Sequence, residues 1–574
     1  MLKHTKYISF IKHDLLLNNI NNHNNFEYYK TVLNEIYKLN PKKNIDEKII
    51  SKYENLSSRY QSILLDNLFT IFNNLHSLNL DKRLWKILIG HWLFRYCNIF
   101  ISRWHRLNLL QKKKIKNFYC AKTNTNLLLT KDTNHIIQIS HDDIFNSYIY
   151  KAILKNKKNI KIFELETIYF KKKDKIDLKI LLKKILLIFQ KLDKRNRKKI
   201  RYFFYHTYLN KKILTKLNKK INQKDLSYLP DRIEEGKVDA ALRKKLTKIL
   251  SSKIKTNDPL LISLISNFFN MFPSIYLESF IDNFKKIDKS HWPYNPKLIF
   301  TSNSFDTDEY FKFYTINKIH YFKSKYFCGQ HGNNCGTFIT RSRNVEQDTS
   351  DIFFTWGWKT KFYKNHIKLF NFRQPILNKS NPTHKTSSPL FILDGYPHDI
   401  NLFSEPFIFD QKTSNFLKSL NTYFRNKKIL IKKYNQSNID KLIPKMYQNL
   451  NIKFVKNYNI LNYLKENEIF VFLYDSTGFL EMINLNKPCL MFIDTPLSLY
   501  YENAIMCYKK LISKNIIFDD YEKLFAHLNK ISNNVESWWN SGNIQNEIDK
   551  FRKVYSSTSS KPIEKLVKLI NKHA

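Results

Sequence analysis

The sequence predicts an α/β protein, two parallel-sheet domains behind a large helical N-terminal part. Three observations predict it: a strand–cap–helix–strand run beginning at Lys297, a cleaner one beginning at Ile469, and helical spacing of apolar residues from Glu54 to Leu110. At 574 residues the chain is too long for one ordinary core, and its 43% apolar content is enough to fill two.

Leu64, Leu68, Ile71 and Leu75, then Leu84, Ile87 and Leu88, mark a helical pair that turns near Leu78–Asp81. Ile87 to Trp104 is the best candidate for a membrane span, but His91, Arg95 and Arg103 interrupt it. It reads as a buried amphipathic helix. Residues 110–255, rich in Lys, Ile and Leu and poor in turn residues, read as helices with loose connections. Pro230 and Gly236 mark a surface break within Ser227–Gly236, and Asp258 opens an apolar stretch that Pro273 interrupts.

Leu298–Phe300 is a short apolar run ending in the cap formers Thr301–Ser304; a helix over Asp306–Ile319 and a strand over Tyr326–Cys328 follow. Strand, cap, helix and strand make a βαβ unit, and hence a parallel, Rossmann-like sheet. That strand runs into Gly329-Gln330-His331-Gly332-Asn333-Asn334-Cys335-Gly336, which holds three of the chain's nine glycines. Such clustering asks for left-handed backbone or a close approach of main chain to ligand. After an apolar run at Ile352–Trp358, the stretch Lys359–Ser388 has no periodicity and reads as a linker.

The second unit contains short strands at Leu390–Leu393, Ile429–Ile431 and Phe454–Val455, then a fully apolar strand at Ile469–Leu473. Asp475-Ser476-Thr477-Gly478 is the capping loop, Phe479–Leu485 a short helix, Asn486–Pro488 a break, and Cys489–Ile493 the next strand. The chain from Val535 reads as helical. These boundaries divide the chain into residues 1–375, carrying the helical insertion of about 110–255, then 388–535, then C-terminal helices 536–574.

The net charge of +48 suggests nucleic acid at first sight. Only 15 of the 97 basic residues are Arg, however, and Lys, Asn, Ile, Tyr and Phe are inflated together, as an AT-rich coding sequence would produce. Arg forks are what a phosphate-reading surface adds over Lys. The basic runs at Lys112–Lys114, Lys171–Lys173 and Lys194–Arg201 therefore read as solvated faces, and no nucleic-acid partner is expected. The positive field still favours polyanionic substrates and peripheral contact with an anionic membrane. Six dispersed cysteines without disulfide spacing and an N-terminus lacking an uninterrupted apolar core predict a cytoplasmic protein, with the inner face of the cytoplasmic membrane as its outer limit.

In a parallel sheet, ligands sit beyond the carboxyl ends of the strands, where both special loops fall. Free amides at the helix start and the hydroxyls of Ser476 and Thr477 fit a diphosphate, with Glu481 one turn on for ribose hydroxyls. The same residues fit a plain helix cap equally well. His331, flanked by Gly329, Gln330, Gly332 and Gly336, suits a base toward an acceptor hydroxyl or a cation toward a leaving phosphate; it also suits a histidine bonded to its own turn. Cys328, His331 and Cys335 lack standard zinc spacing, so no metal is expected. Trp538-Trp539 reads as packing rather than base stacking.

Several of these pieces together resemble the bacterial transferases of surface-carbohydrate (O-antigen or capsule) biosynthesis: Leu75-His76, Leu84–Leu93, Gln330–Gly336, Asp351–Trp358, Ser476–Glu481, Asn486-Lys487-Pro488, and Trp538-Trp539 with Gln545 and Phe551. The resemblance implies a GT-B-like arrangement, an N-terminal acceptor-side domain facing a C-terminal nucleotide-donor domain. It implies a nucleotide-sugar donor as substrate, a glycan or lipid-linked glycan acceptor, and no cofactor or metal. Ser476, Thr477, Gly478 and Glu481 would then contact the donor, and His331 would face it as the catalytic residue. Asn333-Asn334-Cys335 departs from the glycines and aromatic usual in the family, and the tryptophan-containing start of relatives is shortened ahead of Tyr53. Domain closure over the donor would exclude water. Alternatives on the same residues are a glycerophosphate-type transferase, a basic nucleic-acid-binding protein, and a non-catalytic assembly protein of the same descent.

Overall fold

The computed structural model describes residues 7–10, 26–38, 47–112, 114–122, 128–157, 159–167, 186, 197–225, 228–339, 345–373, 388–395, 406–424, 429–432, 451–455, 460–464 and 467–573. Lys113, the run Lys171–Lys173, residues 194–196 and the linker at 374–387 lie outside them.

The first half opens with strands β1 (Tyr7–Ser9) and β2 (Phe26–Tyr28). Helices α1 (Glu47–His76) and α2 (Lys82–Lys112) are the expected pair, and the Asp81 carboxylate caps α2 by accepting from the Leu84 N–H at 2.8 Å. There follow β3 (Asn117–Ala121), α3 (Asp143–Leu154), β4 (Lys161–Leu165), β5 (Tyr202–Phe204), α4 (Lys211–Lys220), α5 (Ala240–Lys253) and α6 (Pro259–Met271). The expected βαβ unit is β6 (Leu298–Thr301), α7 (Glu309–Phe322) and β7 (Lys325–Gly329), continued by α8 (Asn334–Thr337), β8 (Ile352–Thr355) and β9 (His366–Lys368).

The second half contains β10 (Leu390–Ile392), β11 (Ile429–Lys432), β12 (Ile452–Val455), β13 (Phe470–Phe472), α9 (Thr477–Asn484), β14 (Cys489–Phe492), α10 (Glu502–Ser513) and β15 (Ile517–Phe518), ending in α11 (Gly542–Tyr555) and α12 (Pro562–His573).

Three sheets result, and every ladder among the named strands is parallel. Their orders are β2-β1-β3-β4, β5-β6-β7-β8-β9 and β12-β11-β10-β13-β14-β15. The six-stranded order reverses between β10 and β13, the switch point at which doubly wound sheets open a ligand crevice. The α/β class and the two parallel sheets agree with the sequence reading. Three expectations need correction. The stretch Lys359–Ser388 is not linker throughout: His366–Lys368 within it is β9, paired with β8 at the edge of the five-stranded sheet, and three residues are too few to show a period. Residues 110–255 are not helices alone: β3 and β4 lie there in a four-stranded sheet, and β5 edges the five-stranded one. Runs such as Asn-Phe-Tyr-Cys-Ala are too short for periodicity to tell strand from helix. The helix over Ile87–Trp104 is not amphipathic either, because α2 is buried on every side from Leu84 to Arg103, Lys86 excepted.

Its charges are absorbed by partners. Arg95 grips Asp306 with two bonds of 2.6 and 2.7 Å, and His91 stands between Asp306 (3.7 Å) and Glu346 (3.6 Å). Burial alone would raise the Asp306 carboxyl; Arg95 and His91 outweigh it and hold the group well below the usual carboxylate range.

Alternate residues of the central strands enter different cores, as a period of two requires. Leu390, Phe470 and Met491 join the large core built around α2, whereas Phe391, Val471 and Leu490 pack under the outer helices. The C-terminal chain returns to the first half. Ser557 N–H donates to the Trp356 carbonyl (2.8 Å), and Leu566 and Ile570 of α12 pack with Leu217 of α4 beneath the five-stranded sheet.

Candidate functional site

At the switch point, β13 delivers Asp475 and Ser476 to its carboxyl edge. Ser476 adopts extended backbone and its hydroxyl accepts from the Gly478 N–H at 3.0 Å, so of the two readings of this serine the structure displays the helix cap. Phe479, Leu480, Met482 and Ile483 anchor α9 to the sheet. Glu481, on the other side of the helix and 13% exposed, pairs with Arg373 Nε at 3.1 Å. Burial raises its carboxyl, opposed by Arg373 and by Lys432. Lys432 ends β11 and is itself buried, which lowers its ammonium from the usual lysine value.

In the five-stranded sheet, β7 ends at Gly329 and the next loop begins. Gln330 is 1% exposed and clamps this loop: its side-chain N–H donates to the Gly332 carbonyl (2.8 Å), while its oxygen accepts from Trp356 N–H (2.9 Å) and the Trp358 indole (2.7 Å). None of the three loop glycines has positive φ. Crowding explains them instead: a Cβ on Gly329 would strike Ser302 and Phe372, and one on Gly336 the Trp358 indole. On Gly332 a Cβ would stand 3.0 Å from the Thr477 hydroxyl. The close approach inferred from the sequence is real, but the other party is the protein.

The two loops meet. Thr477 Oγ1 accepts from the Asn333 N–H at 3.2 Å. Asp475 accepts from the Asn333 side-chain amide, from Thr337 Oγ1 at 3.1 Å and from the Tyr508 hydroxyl at 2.8 Å. Just beyond, Phe338 and Tyr500 form an antiparallel bridge, with Ile339 N–H donating to the Leu499 carbonyl (2.7 Å) and Tyr501 N–H to the Thr337 carbonyl (2.9 Å).

His331 and Glu481 are joined through two residues that sequence reasoning did not find. The Tyr208 hydroxyl lies 3.1 Å from His331 Nδ1, its ring carries the Arg373 guanidinium at 5.0 Å, and Arg373 pairs with Glu481. Tyr208 and its neighbour His206 both have left-handed backbone (φ 62° and 48°), costly away from glycine and frequent where function holds a residue in place. His331 Nδ1 is also 3.1 Å from the Ser302 carbonyl. A carbonyl only accepts, so Nδ1 carries the proton and Nε2 is the basic nitrogen of the neutral ring.

A cavity of about 560 Å³ lies not in this crevice but one loop away, at the carboxyl edges of β5 and β6. His206, Arg232, Asn303, Ser304 and Asp308 are among its lining residues. Ser302 separates it from His331, its N–H donating to the His206 carbonyl at 3.1 Å. Cys328 is buried and burial pushes its thiol well up, which disfavours the thiolate that a metal would need. Among the described residues no group of His, Cys, Asp or Glu is arranged to hold a metal ion. Trp539 is buried, its indole donating to the Asn486 side chain at 3.0 Å, and it packs with Trp538.

The family model described as LIC12162 family transferase matches residues 6–570. No curated protein matches the chain. Among solved structures, S. aureus MnaA with UDP is 9% identical with a TM-score of 0.34, covering 80% of this chain and 96% of that one. A Thermobaculum terrenum O-GlcNAc transferase mutant is 8% identical (TM-score 0.31; 90% and 97% covered), and Acinetobacter baumannii MurG 9% identical (TM-score 0.30; 62% and 88% covered). Likenesses this loose bear on neither the fold nor the chemistry.

Proposed function

The chain belongs to the LIC12162 family of transferases, and from that premise we propose that it moves a glycosyl or related group from a nucleotide-activated donor to a glycan acceptor of surface-polysaccharide biosynthesis. One observation carries the reading: a continuous line of contact, His331–Tyr208–Arg373–Glu481, spans the carboxyl edges of two parallel sheets at a topological switch point.

The donor's diphosphate lies against the start of α9, with Arg373 and Lys432 offsetting its charge as it leaves. Arg373 is released from Glu481 by that exchange, and the freed carboxylate accepts from the ribose hydroxyls. The acceptor approaches on the Nε2 side of His331, and Nε2 takes the proton of the attacking hydroxyl. The bond from donor carbon to phosphate oxygen breaks as the bond to the acceptor oxygen forms.

Thermal unfolding with UDP-, GDP-, CDP- and CMP-linked sugars tests this, since a ligand of the native state at about 100 times its Kd adds ~2.7 kcal/mol of stability. One nucleotide class is expected to raise Tm; His331→Ala should keep that rise and lose transfer, whereas Glu481→Gln should lose the rise. A flat response to every donor overturns the reading.

A further inference from the structure

Helices far apart in the sequence, α4 and the C-terminal α12, build one strongly basic face. Helix α4 buries Leu217 and α12 buries Leu566 and Ile570 in a single apolar cluster with Leu298, Phe300 and Phe327 of the five-stranded sheet. Their lysines are left outward: Lys212, Lys216 and Lys220 on α4, Lys565, Lys568 and Lys572 on α12. The turn before β5 adds Lys198, Lys199 and Arg201. Across residues 197–225 and 561–573, exposed basic side chains outnumber exposed acidic ones thirteen to two. The chain as a whole carries 97 basic to 49 acidic residues, so compositional bias accounts for a ratio near two and not for this one. Asp225 and Glu564 are the two exceptions, and Glu564 is 3.8 Å from Lys561.

We propose that this face, α4 with α12 and the turn before β5, docks onto an anionic lipid bilayer. Two observations select lipid over nucleic acid. Twelve of the thirteen cations are Lys, a compact charge without the fork that fixes a phosphate in place, which suits a fluid layer of headgroups. Among the described residues of α4 and α12 no large hydrophobic or aromatic side chain is exposed, so the two helices offer no platform on which bases could stack. No helix among the described residues is long and apolar enough to cross a membrane. Tyr208 lies two residues before Asn210, which caps α4, so the docking face and the His331 crevice share a loop. The proposal stands on charge and packing and does not rest on the transferase reading.

Sedimentation of the full chain with vesicles tests it. Vesicles containing phosphatidylglycerol should carry the protein down and pure phosphatidylcholine vesicles should not, with binding weakening as salt rises. Lys216→Gln, Lys220→Gln, Lys565→Gln and Lys568→Gln combined should weaken binding by at least about tenfold, each lysine near such a surface contributing roughly a fivefold factor. The matched control, Lys244→Gln, Lys245→Gln, Lys248→Gln and Lys253→Gln on α5, removes the same charge elsewhere and should bind within about twofold of the parent. All eight side chains are exposed, and circular dichroism verifies that both variants fold. No sedimentation with phosphatidylglycerol, equal loss in both variants, or tighter binding to a DNA duplex that the face variant abolishes would each overturn the proposal.

Discussion

Arg373 holds two jobs at once, lying on the face of Tyr208 and neutralising Glu481. A methionine there keeps the packing and removes the charge, leaving a buried carboxylate short of its nearer cation. Arg373→Met is expected to weaken nucleotide binding at least tenfold, and Arg373→Lys to recover only part, because an ammonium neither stacks nor forks as a guanidinium does. Calorimetric titration of both variants with the donor found by thermal screening checks this; full affinity in the methionine variant would remove Arg373 from the donor site. At this scale the sequence was informative wherever chemistry shows as local pattern: crowded glycines flagged His331, and a cap motif flagged Ser476 to Glu481. Tyr208 and Arg373 left no such pattern, since they lie 123 residues before and 42 residues after His331 and reach it only through the fold. The Thr477 hydroxyl has a partner that local pattern did not reveal, the Asn333 N–H of the facing loop.

Among the elements, α2 is the one on which the first half is assembled. Its buried Arg95 is satisfied by Asp306, which lies just beyond β6, so this ion pair, with that of Arg83 and Asp351 at 3.1 Å, pins the central helix to the sheet that carries His331. Breaking such a pair on one side leaves a charge stranded, a loss of about 3–5 kcal/mol. Arg95→Met should therefore lower the urea midpoint markedly, while Arg95→Met with Asp306→Asn should recover much of it; equal stability of both variants would mean that the pair is not a structural link. Elements with their own punctuation were legible in the sequence. Asp81, Asp258 and the Ser476 loop announce helices, and β13 is too apolar to mistake. The short strands β3, β4 and β5 were not legible, because three to five residues make no period. The character of α2 was misjudged because buried ion pairs look, in sequence, like a polar face.

For the whole molecule, acidity is the revealing variable. Burial lowers His76, His105, His366 and His527 each to about 4. The unfolded chain takes up protons at these positions around pH 6.5, which the folded chain refuses until near pH 4, so acid favours unfolding. The stability that these four histidines contribute is full above the unfolded value and declines as pH falls from about 6.5 toward 4. Urea titrations at about pH 7 and about pH 5 should show that decline, and His366→Gln, at the least exposed of the four, should flatten it; an unchanged slope would mean that His366 titrates freely. The overall charge shows how far composition reaches. It announces a basic protein and cannot say that two helices far apart in sequence bring their lysines to one side.

The short seam at Phe338 and Tyr500 has a mechanical consequence. Spreading the two sheets apart would sever both flanking amide links and, in the same stroke, the bonds that Asn333 and Thr337 make to Asp475, so the seam resists gaping. Any hinge motion here therefore has to break these links together rather than one at a time.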